Sequence, residues 1–99
     1  MIKVNYNNNL SNITITGHSG YASYGNDIVC ASVSSIVSTS VNLAHEFDNS
    51  IEYKDNGEVL EIINNTKNKN VYKTLNNMMN LLLDLEKQYP KNIKISKGE

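Results

Sequence analysis

The chain has one cysteine, Cys30, and two histidines, His18 and His45. Between His18 and Cys30 the sequence reads Ser-Gly-Tyr-Ala-Ser-Tyr-Gly-Asn-Asp-Ile-Val, with Gly20 and Gly25 inside it. A thiol and an imidazole brought together are the nucleophile and general base of acyl transfer. Asp27 reads as a helix N-cap, its carboxylate accepting from the N–H of Val29 or Cys30, which puts Cys30 at the third helical position. Unpaired N–H groups and the positive end of the helix dipole favour a thiolate there, and thiol pKa values in such settings fall from about 8.5 into a range of roughly 3.5–7.5. The N–H groups of Cys30 and Ala31 would then be free to hold an oxyanion. Asp27 cuts both ways: as a nearby anion it disfavours the thiolate unless it pairs with His18 and orients it. Ser34 follows one turn later on the same face, able to hydrogen-bond the site or to back-bond to the Cys30 carbonyl.

The same residues admit plainer readings. A lone cysteine is commonly a small apolar core residue, and a histidine beside a glycine at a strand end is commonly structural. His45 falls near the end of its helix, where a cation is favoured, and reads as structural. Tyr21 and Tyr24 either fold back onto the core or line a peptide groove. One cysteine and two distant histidines do not make a zinc set, so no metal is expected.

The elements that must position these residues follow from periodicity. Ile2, Val4 and Tyr6 alternate with polar residues, as do Ile13 and Ile15, which predicts two strands joined through Asn7-Asn8-Asn9 as an antiparallel hairpin. Asparagine tolerates the left-handed backbone that tight turns need. Residues 19–27 read as a loop that Gly20 and Gly25 leave mobile. From Asp27 to about His45, apolar residues recur at three and four, giving a helix of poor propensity that packing must hold. Ile51 and Tyr53 form the next strand, and Asp55-Asn56-Gly57 predicts a type I′ hairpin into a return strand over 58–63. Val71, Leu75, Met78, Leu82, Leu85 and Tyr89 mark a second amphipathic helix, which Pro90 ends. Ile93 and Ile95 make a last strand. The order strand-strand-helix-strand-strand-helix-strand predicts one α+β domain over 1–99, a mixed sheet of about five strands with both helices on one face.

A chain of 99 residues buries only roughly 60–65% of its unfolded surface, so self-association is a natural remedy. A net charge of −1 and a pI near 6.1 argue against direct nucleic-acid binding. Lys91, Lys94 and Lys97 read as a solvated tail. A single cysteine and no leader lead to the expectation of a reducing cytoplasm. No apolar run approaches the roughly 20 residues that span a bilayer, so no membrane partner is expected.

Gly17-His18, Gly20-Tyr21-Ala22, Gly25, Asp27-Ile28-Val29-Cys30-Ala31 and Ser34 together resemble the signature of the ribosomal-processing cysteine protease family. The resemblance runs over essentially the whole chain, including Gln88-Tyr89-Pro90 and Ile93-Lys94-Ile95. It implies a bacterial endopeptidase that removes a short N-terminal extension from large-subunit ribosomal protein number twenty-seven. It also implies Cys30 as nucleophile, His18 as general base, and Asp27 and Ser34 in support. A homodimer, a mobile loop between the histidine and the cysteine, and no cofactor are implied as well. Two other readings stay open on the residues alone: a non-catalytic ribosome-associated binding module, and a Cys-His hydrolase of a small acyl ester or amide.

Overall fold

The computed structural model describes residues 1–17 and 24–98, with the backbone alone for 24–27. Its elements run β1 (Ile2–Tyr6), β2 (Asn12–Thr16), α1 (Tyr24–Phe47), β3 (Glu52–Asp55), β4 (Val59–Ile63), α2 (Lys69–Gln88) and β5 (Ile93–Lys97). The strands form one sheet in the order β3-β4-β2-β1-β5. Only the β1–β5 pair is parallel, so the sheet is mixed and the fold is α+β, as the element order predicts.

Strand alternation sets which face is buried. Val4 pairs with Ile15, Tyr6 with Ile13, Ile13 with Ile62, and Ile15 with Leu60. These side chains share one face and meet Val29, Val33 and Val37 of α1 and Val71, Leu75, Met78 and Leu82 of α2 in a single core. The opposite face carries Lys3, Asn5, Thr14, Glu61 and Lys94, and no described helix packs on it. Packing therefore holds α1 despite its serines and β-branched residues. By length and composition, Ile28–Phe47 is also apolar enough to cross a membrane, with a mean hydropathy of 1.4. The expectation that no apolar run approaches a bilayer's span does not hold for this stretch, whose apolar residues are interspersed with serines. Here Val29, Val33, Val37, Val41 and Ala44 line the core instead.

α2 starts at Asn68, whose Oδ1 accepts from the N–H of Asn70 at 2.8 Å and of Val71 at 3.4 Å. Its Nδ2 donates to the Phe47 carbonyl at 3.3 Å, tying the end of α1 to the start of α2. Asn68→Ala is expected to cost about 1–2 kcal/mol in thermal unfolding, and Asn68→Asp to recover most of that, because only the cap needs the oxygen. At one sheet edge, Glu86 Oε2 accepts from the Ile95 N–H at 2.7 Å. This occupies a donor that an edge strand would otherwise present to other chains.

Two turns differ from expectation. The first hairpin does not place an asparagine in the left-handed region: Leu10 takes φ 56°. Asn7 is held instead as a hub, its Oδ1 accepting from the N–H of Ser11 at 2.9 Å and of Asn12 at 3.0 Å. The second hairpin pairs Asp55 with Leu60 and has one left-handed residue, Gly57 at φ 89°. It is therefore not a type I′ turn, which needs positive φ at both central residues. Asn56 Oδ1 accepts from the N–H of Glu58 and Val59, and Asp55 Oδ1 from that of Gly57. Side-chain acceptors close this longer loop.

Candidate active site

The start of α1 requires a correction. The helix begins at Tyr24, three residues before the predicted cap. Tyr24, Gly25 and Asp27 thus lie inside its first turn rather than in a loop, and Asp27 is not the N-cap. Cys30 falls in the second turn. An α-helix leaves only its first four N–H groups unpaired, so those of Cys30 and Ala31 belong to the i→i−4 ladder. The oxyanion role expected of these two N–H groups loses its basis. The sequence offers two cap-type residues, Ser23 and Asp27, and Gly25 argues for a loop between them. Periodicity does not decide between those starts.

Cys30 is half-buried and packs against the edge of the core. It is neither sealed in the interior nor fully exposed, and Ser34 and Ala31 beside it are exposed. His18, Gly20 and Tyr21 lie outside the described residues, as do the side chains of Tyr24 and Asp27.

The residue that leads to His18 is Gly17. Gly17 closes β2 with φ 78°, and a Cβ there would overlap the backbone carbonyl oxygen of Met1. No other residue type meets both conditions without a shift of the backbone. Thr16 pairs with Val59, so Gly17 leaves the sheet at the end where the β3–β4 hairpin turns.

The structure adds residues that sequence reasoning missed. Between α1 and β3 lies a cleft of about 80 Å3. Ser34 and Ser38 wall it on the helix, Tyr53 and Asp55 on the strand, and its floor is apolar. Tyr53 is paired with Ile62 on the helix-facing side of the sheet, yet it is 43% exposed. Alternation correctly gives its face, but β3 is the outermost strand, where α1 no longer covers it. The Asp55 charge and partial burial both push the Tyr53 phenol up, burial being the larger cause. Among the described residues, no three His, Cys, Asp or Glu side chains converge as a metal site would require.

The profile of the family described as cysteine protease Prp matches residues 1–94. The ribosomal processing cysteine protease Prp of Staphylococcus aureus strain Mu50 is 33% identical over 96% of this chain and 93% of its own length. A crystal structure of S. aureus Prp, an essential ribosomal processing protease, in complex with a substrate peptide superposes with a TM-score of 0.86. That pair is 27% identical over 99% of this chain and 100% of the other. A second S. aureus Prp structure, with a covalently linked product peptide, gives 0.82 at 29% identity over the same shares. The match takes in the segment from Gly17 to Ser34 and the whole α+β frame that carries it, and it decides against a purely non-catalytic module. The chain belongs to the ribosomal processing cysteine protease Prp family and is a cysteine protease.

Proposed function

We propose that this protease removes the N-terminal extension of large-subunit ribosomal protein number twenty-seven in the bacterial cytoplasm. The observation that carries the reading is the family match through residues 1–94, with relatives that hold a substrate peptide and a covalently linked product peptide. Cys30 is the nucleophile and His18 the base. The Cys30 sulfur attacks the scissile carbonyl, the peptide C–N bond breaks, and the His18 imidazolium gives its proton to the leaving amine. Water then hydrolyses the thioester and restores the thiol. Asp27 and Ser34 are the supporting residues, Ser34 by its hydroxyl one turn from the sulfur. No metal or cofactor takes part. Mass spectrometry of the extended ribosomal protein, incubated with this protein and with its Cys30→Ala variant, tests the reading. A single N-terminal fragment released by the first and not by the second supports it; no release by either overturns it.

The working form we propose is a homodimer. Leu43, Phe47 and Leu81 are each more than 40% exposed and line a groove of about 610 Å3 between α1 and α2. A small domain with such a face has apolar surface to bury. Like charges placed there, as in Leu43→Asp with Leu81→Asp, are expected to convert a dimer to a monomer in sedimentation velocity, with the far-UV circular dichroism unchanged. Sedimentation of the unaltered protein as a monomer at tens of micromolar would count against the dimer.

A further inference from the structure

The cleft between α1 and β3 is walled by Ser34 and Ser38 of the helix that carries Cys30. Ser34 stands one helical turn beyond Cys30, and Ser38 one turn beyond that. A turn rises about 5.4 Å and an extended peptide about 3.3 Å per residue. A substrate lying along α1 therefore brings its second or third residue from the scissile bond to the cleft. The floor, of Ile15, Val33 and Leu60, is apolar, while Ser34, Tyr53 and Asp55 supply polar groups at the walls. The volume of about 80 Å3 is roughly half that of a cavity that accepts benzene, which suits the end of one long side chain.

Charge selects which side chain. Asp55 is exposed, and its Oδ1 accepts from the Gly57 N–H at 2.9 Å. Among the described residues, no cation pairs with it. The neighbouring Lys54 pairs with Glu61 and points to the other face of the sheet. Lysine and arginine carry apolar stems and charged tips, matching an apolar floor with one anion at the rim. We propose that this cleft is a subsite for a basic residue of the peptide, two or three positions from the scissile bond, with Asp55 as its charge-selecting group. The proposal rests on the peptide-cleavage reading above.

The test uses peptides spanning the cleavage site with lysine, norleucine or glutamate at those positions. Binding is measured on the Cys30→Ala variant and kcat/KM on the unaltered protein. Lysine is expected to exceed norleucine by about 5-fold in both. Asp55→Asn keeps the acceptor for Gly57 and should bring that ratio to near one. Asp55→Lys should reverse the order, with glutamate ahead of lysine. Equal discrimination in all three proteins, or none in any, overturns the subsite. Charge-selective binding without cleavage would instead overturn the peptide-cleavage reading and leave the subsite standing. Cleavage indifferent to charge would do the reverse.

Discussion

His18→Ala is expected to lower kcat/KM for peptide cleavage by about 10³–10⁴-fold and to slow alkylation of Cys30 by iodoacetamide at pH 7 by about tenfold. The corrected helix start is what makes the second effect large. A helix dipole acts mainly over the first turn, and α1 begins at Tyr24, with Cys30 in its second turn. The dipole therefore does less for the sulfur than a cap at Asp27 would imply. On the proposed mechanism the imidazole both takes the proton and stands as counter-ion to the sulfur. Alkylation kinetics and a cleavage assay on the same preparations check both parts. An unaltered alkylation rate together with retained turnover would remove His18 from the mechanism.

Gly17→Ala is expected to reduce kcat/KM by about 100-fold or more if His18 is the base proposed above, since displacement of a catalytic group by about 1 Å costs that much. Gly17 has a left-handed backbone and no room for a Cβ against the Met1 carbonyl, and His18 is the next residue. The new methyl must push the backbone of β1 or of the turn. Strain of about 2 kcal/mol would lower Tm by roughly 10 °C. Gly57→Ala is the matched control. Gly57 is also left-handed, at φ 89°, but has open space around it. It should lose about 1 kcal/mol of stability and keep kcat/KM within about threefold. Equal activity losses in the two variants would mean that Gly17 acts through stability alone.

Much of the frame is readable from the residues. Ile2/Val4, Ile13/Ile15 and Leu60/Ile62 alternate cleanly because both described helices pack on one sheet face. The steps from Val71 to Leu85 give α2 for the same reason. What escapes reading is conformational detail where two local solutions compete. Asn7-Asn8-Asn9 offers three residues able to turn left-handed, yet the chain spends Asn7 on accepting N–H bonds and leaves the turn to Leu10. Asn56 likewise acts as an acceptor, so only Gly57 needs positive φ. At the candidate site, Cys30 and His18 are conspicuous by rarity, and Ser34 by spacing. Tyr53 and Asp55 are not, because only the strand order reveals that β3 is an edge beside α1. Gly17 reads as an ordinary strand end until Met1 is seen to close over it.

β5 lies against β1 in parallel, Ile93 beside Ile2 and Ile95 beside Val4. Two strands separated in sequence by every other element of the fold are thus neighbours. A growing chain can form the β1–β2 hairpin early, but its hydrophobic interior stays open on one flank until residue 93 has been made. Closing so long a loop is slow compared with local pairing. Proteolytic capacity should consequently arise only once β5 has been synthesised, and nascent fragments stalled short of that point should be inert.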